Sequence, residues 1–160
     1  MTILSNSVKW LFSYTPLNLY DNNNKNILIF TNVFLILVSL YILKKKRNNK
    51  NLFTIFLLVC MCIISCIFHY KQCHHHSYDN IKKWGNIDVI LALFLTFIVI
   101  YFYCKSINLK IVILGMIGLF LFCLTPSNTS TNIYIYSHSM WHIIVGLIIF
   151  LLIINDKDLN

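Results

Sequence analysis

The chain alternates between long apolar runs and short polar breaks. Five runs are near the roughly 17–25 residues that cross a bilayer as a helix. They are Ile27–Leu43, Leu52–Tyr70, Ile87–Cys104, Ile107–Leu124 and Ile133–Ile154. The fourth is the least regular, because Lys110 falls in its first turn and has to snorkel to the interface. The pattern predicts an all-α fold, a polytopic transmembrane helical bundle of five spans. Residues 27–154 then form the transmembrane domain, residues 1–26 an N-terminal extension and residues 155–160 a short tail.

Composition agrees with the pattern. With 58% hydrophobic and 11% charged residues among 160, the chain departs from ordinary soluble domains. Residues 1–26 hold only short apolar patches such as Val8–Phe12, which argues for an interfacial stretch rather than a cleaved signal peptide. Neither an internal repeat nor a second domain is visible. Of six cysteines, Cys60, Cys62, Cys66 and Cys123 lie within apolar runs, Cys104 ends one and Cys73 is expected in a loop. Buried cysteine usually acts as a small hydrophobe, so no disulfide is assigned.

The net charge of +8 is a topology signal rather than a nucleic-acid footprint. With five spans, Lys44, Lys45, Lys46, Arg47, Lys50, Lys105, Lys110 and Lys157 share one side, eight basic residues in all. Lys9, Lys25, Lys71, Lys82 and Lys83 make five on the other. The positive-inside rule places the C-terminus in the cytosol and the N-terminus in the lumen or outside the cell. The sequon Asn128-Thr129-Ser130 falls in an outer loop on this scheme.

Polar residues interrupt the apolar runs at corresponding places. The second run ends Ser65-Cys66-Ile67-Phe68-His69-Tyr70, with Ser65 and His69 at i, i+4 on one helical face. The third opens Gly85-Asn86-Ile87-Asp88, which puts Asp88 in its first turn. The fifth carries His138 and His142, again at i, i+4. Span parity brings these ends to the same face of the membrane. An ionisable group at that depth needs a partner, and these groups can partner one another.

Three histidines leaving one open tetrahedral position describe a catalytic zinc site, in which the pKa of a bound water falls to about 7. Asp88 then either accepts the water's proton or holds a ligand imidazole in its tautomer, and Ser65 donates to a carbonyl or oxyanion. Each residue also has a plainer role. His138 and His142 alone fit a polar cavity equally well, Asp88 suits a helix N-terminus, and Ser65 can bond back to its own helix. His74, His75 and His76 fall in a polar segment with Lys71, Asp79, Lys82 and Lys83, where a solvated tract is expected.

Ser-x-x-x-His closing one helix, Asp opening the next and His-x-x-x-His opening the last resembles the CREST membrane hydrolase superfamily. That group includes alkaline ceramidases, progestin and adiponectin receptors, and the myomaker and post-GPI-attachment phospholipase branch. His138-Ser139-Met140-Trp141-His142 is most similar to the last branch, and Trp141-His142-Ile143 followed by Gly146 also resembles the ceramidases. The resemblance implies zinc on His69, His138 and His142, assistance from Asp88 and Ser65, and a lipid amide or ester as substrate. It also implies seven spans, where five are counted. The expected function is thus an integral-membrane zinc-dependent hydrolase of a lipid. The alternative is a non-enzymatic membrane protein, of the lipid-organisation or cell-fusion type, with a structural zinc. A metal or proton transporter would need a polar path onward, suggested only by Thr31, Asn32 and Ser39.

Overall fold

The computed structural model describes residues 19, 23–45, 47–74, 76–123 and 131–156. Among these residues five helices follow one another: α1 (Asn26–Lys45), α2 (Asn49–Cys73), α3 (Tyr78–Tyr103), α4 (Leu109–Cys123) and α5 (Thr131–Ile154). A single 3-10 turn, Cys104–Ser106, follows α3. Four of the helices are long and apolar enough to cross a membrane, all but α4. Large apolar side chains point outward from them, among them Phe30, Phe97 and Tyr101. Such a surface is stable against lipid and not against water. This is a multi-pass membrane protein with an all-α bundle fold.

Two expectations about the elements change. The fourth predicted span shortens to the 15 residues of α4, or roughly 22 Å at the helical rise, against a hydrocarbon core of about 30 Å. Its start is displaced because Ile107 N–H closes the preceding turn on Cys104 O, and Asn108 Oδ1 accepts from Ile111 N–H at 3.1 Å as a cap. The predicted Leu124 lies outside the described residues, as do residues 1–18, 20–22 and 157–160 of the two terminal segments. The third helix, conversely, begins at Tyr78, nine residues before Ile87. Its first turns are too polar to register as an apolar run, yet Ile81 and Gly85 are buried, Gly85 against Phe68 of α2, while Lys82 and Lys83 face outward. Asp79, not Asp88, is the acidic residue of its first turn.

α1 packs against both α2 and α5, α3 covers α2 and α4 covers α5. Gly146 on α5 permits the α1 approach, since a Cβ there would lie 2.9 Å from Phe34 and 3.1 Å from Leu35. Small residues serve this purpose in membrane bundles, where packing rather than water exclusion holds helices together. One end of the bundle is closed by paired polar groups. Lys50 on α2 forms an ion pair with Asp156 just beyond α5, and Ser106 donates to the same carboxylate at 3.4 Å. Tyr103 OH donates to Asn51 Oδ1 at 2.7 Å and lies 3.2 Å from Thr54 Oγ1. Leu35, Val38, Leu58, Val99 and Ile153 fill the space above. At the far end a small cluster of Leu19, Leu28, Cys73, Tyr134 and Ile135 caps the bundle. Cys73 is therefore not in a loop: it ends α2, fully buried, with its thiol 3.5 Å from Lys25 O.

Candidate metal centre

Four-residue spacing on two separate helices assembles the site. Ser65 and His69 lie on the inner face of α2, and His138 and His142 on the inner face of α5. Each helix runs past its polar residues before ending. His69 lies four residues before the end of α2 and His138 seven after the start of α5, roughly 6 and 10 Å in from the helix termini. The three imidazoles meet across the interface. Ring centroids stand 5.0 Å apart for His69 and His138, 5.2 Å for His69 and His142, and 4.8 Å for His138 and His142. One ligand nitrogen from each can be chosen so that all lie within 4.8 Å of one another. No other group of three such residues occurs among the described residues.

Burial turns the geometry into chemistry. His69 is wholly buried, and His138 and His142 are 6% and 5% exposed. His69 Nε2 and His138 Nδ1 are enclosed without any hydrogen-bond partner. A buried polar atom left unpaired costs about 1–3 kcal/mol, so side chains serving only as structure would be expected to find partners. A cation shared among the rings satisfies these nitrogens at once, and zinc accepts three imidazoles with a fourth position open. The donor set fits the metal.

Ser65 and Asp88 stand together beside this group. Asp88 is the eleventh residue of α3, almost three turns in, and faces Ser65 across the α2–α3 interface. The expectation that it occupies the first turn is therefore corrected, and with it the plain helix-dipole role. Its carboxylate is not one of the three grouped ligands. Asp88 Oδ1 and Ser65 Oγ are both buried without a well-formed hydrogen bond although the two side chains face each other, and Asn32 Oδ1 and Ser139 Oγ are likewise unpaired. Ser65 thus does not bond back to its own helix, whereas Ser39 does, at 2.8 Å from Leu35 O.

His74 is separate from the centre. Its ring stacks on Tyr70 at 4.0 Å and its Nδ1 lies 2.9 Å from Tyr70 O. His76 is exposed, and His75 lies outside the described residues.

Sequence reasoning missed three neighbours. Gln72 Oε1 lies 2.7 Å from His69 Nδ1, Tyr134 OH is bonded to Gln72, and Thr31 Oγ1 on α1 lies 3.1 Å from His142 Nδ1. Gln72 at i+3 from His69 and Tyr134 at i−4 from His138 were open to the same spacing argument. Thr31 gave no such signal, because its partner is on another helix. No protein-family model, curated protein or solved structure matches the chain.

Proposed function

We propose that this chain is an integral-membrane hydrolase that holds zinc on His69, His138 and His142 and cleaves a lipid amide or ester. One observation carries the proposal: three buried imidazoles, two of them with a nitrogen that has no partner, converge on one another, with the buried Asp88 carboxylate and Ser65 hydroxyl facing each other close by. Zinc in such a site supplies Lewis acidity, bringing the pKa of water down to about 7. Asp88 takes the proton from the attacking water or fixes its orientation. Ser65, one turn deeper than His69, donates to the carbonyl oxygen as negative charge develops there. The polar centre lies roughly 6–16 Å in from the helix ends at a rise of about 1.5 Å per residue, a depth that suits a bond near a lipid headgroup. The CREST-like order of Ser65, His69, Asp88, His138 and His142 supports the same substrate class. The charge distribution supports a lumenal or extracellular face for the site and a cytosolic C-terminus.

The burial of all three rings favours a second function, a non-enzymatic membrane protein in which zinc joins α2 to α5. Elemental analysis of purified protein with His74, His75 and His76 replaced by Asn tests the site shared by both. About one zinc per chain is expected, and a metal-free preparation from zinc-replete cells would overturn both. Ser65→Ala and Asp88→Asn then separate them. A hydrolase keeps its zinc and loses lipid turnover in nanodiscs; a structural protein loses neither metal nor function.

A further inference from the structure

The three imidazoles are not held alike, and the difference determines which nitrogen each offers. A neutral imidazole carries one N–H and one lone pair, and the partner of one nitrogen fixes the role of the other. Gln72 Oε1, an acceptor only, lies 2.7 Å from His69 Nδ1. Nδ1 therefore carries the proton, and the lone pair falls on Nε2, the buried atom with no partner. Gln72 also meets Tyr134: its Nε2 lies 3.1 Å from Tyr134 OH, and the same hydroxyl lies 3.2 Å from Gln72 Oε1. The Tyr134 ring in turn stacks on His138 at 5.4 Å. On the opposite side of the centre, Thr31 Oγ1 lies 3.1 Å from His142 Nδ1 and 3.1 Å from its own Leu28 O. A hydroxyl has one proton. Donated to Leu28 O, as is common for threonine in a helix, it leaves the oxygen to accept Nδ1–H from His142. That carbonyl also receives Asn32 Nδ2 at 3.0 Å.

We propose that Thr31 and Gln72 are positioning residues that fix His142 and His69 in the Nδ1–H tautomer, so that both present Nε2 to one metal ion. The inference rests on the zinc site proposed above for its purpose, and on the hydrogen bonds alone for its geometry. It gives α1, which contributes no ligand, a direct part in the centre. It also sets His138 apart as the ring whose Nδ1 is the unpaired nitrogen. Partners of this kind around a metal site change affinity by about 10–100-fold when removed.

Two measurements on full-length protein with His74, His75 and His76 replaced by Asn test it. Nitrogen-15 spectra of the zinc-free protein, labelled at histidine, report the tautomers without any metal. His69 and His142 are expected as Nδ1–H, and an Nε2–H tautomer at either would overturn the assignment for that ring. Chelator competition then gives zinc affinity. Thr31→Val and Gln72→Met are each expected to weaken it about 10–100-fold, while Thr31→Ser and Gln72→Glu, which retain an acceptor, stay near wild type. Unchanged affinity in Thr31→Val and Gln72→Met would refute the positioning role. So would equal losses in the conservative and non-conservative pairs, since they would report packing. Failure of the parent protein to bind zinc would refute the metal site instead, and the tautomers would still be read.

Discussion

The two ends of the bundle both bury polar side chains inside an apolar protein, and they treat them in opposite ways. At one end Lys50, Asn51, Thr54, Tyr103, Ser106 and Asp156 are joined by an ion pair and hydrogen bonds. At the other, Asn32, Ser65, His69, Asp88, His138 and Ser139 each enclose an atom without a well-formed hydrogen bond. All six lie in the half of their helix nearer the site. Paired polar groups in a membrane interior are structural, since no water is at hand to satisfy them. Unpaired ones are kept at a cost in stability and point to a ligand. The paired end clamps the helices, and the unpaired end leaves binding capacity unused.

The largest effect should come at the unpaired end. His138→Ala or His142→Ala is expected to take zinc from about one per chain to none by elemental analysis, and retention in either variant would break the contrast. Next comes the clamp. Asp156→Ala strands Lys50, and because Lys50 remains partly exposed the loss falls below that of a fully buried pair, about 2 kcal/mol in a denaturant or thermal titration. Zinc content should be unaffected. Gly146→Ala, pressed against Phe34 and Leu35, is expected to cost about 1–3 kcal/mol by overpacking. The smallest effects have opposite signs and sharpen the comparison most. Tyr103→Phe removes a satisfied hydroxyl and should cost about 1 kcal/mol. Ser65→Ala removes one without a well-formed hydrogen bond and should leave stability unchanged or raise it by up to about 1 kcal/mol in zinc-free protein. Equal losses from the two would mean that Ser65 has a structural partner after all.

Much of this was legible in the sequence, unevenly. Helix number, bundle class and the facing of His69 toward His138 and His142 follow from hydropathy, i, i+4 spacing and span parity. The start of α3 was not legible, because a helix that continues beyond the apolar layer carries Asp79, Lys82 and Lys83 and looks like a loop by hydropathy. Asp88 was misplaced for the same reason. The shortness of α4 depended on a turn at Cys104–Ser106 that the apolar run conceals. Thr31 and the Lys50–Asp156 pair join distant segments, and no local period announces them. Gln72 was within reach, being one turn beyond His69 on the same helix.

The placement of the three imidazoles also constrains how the protein is made. Among the described helices, His69 belongs to the second to leave the ribosome, while His138 and His142 belong to the fifth. During synthesis α2 therefore resides in the bilayer with one imidazole and no companions while α3 and α4 are still being inserted. The three imidazoles come together only when α5 arrives beside α1. On the zinc reading proposed above, metal acquisition is a late event in biogenesis, and a ribosome stalled before Thr131 would leave an inserted intermediate with no capacity to retain the ion.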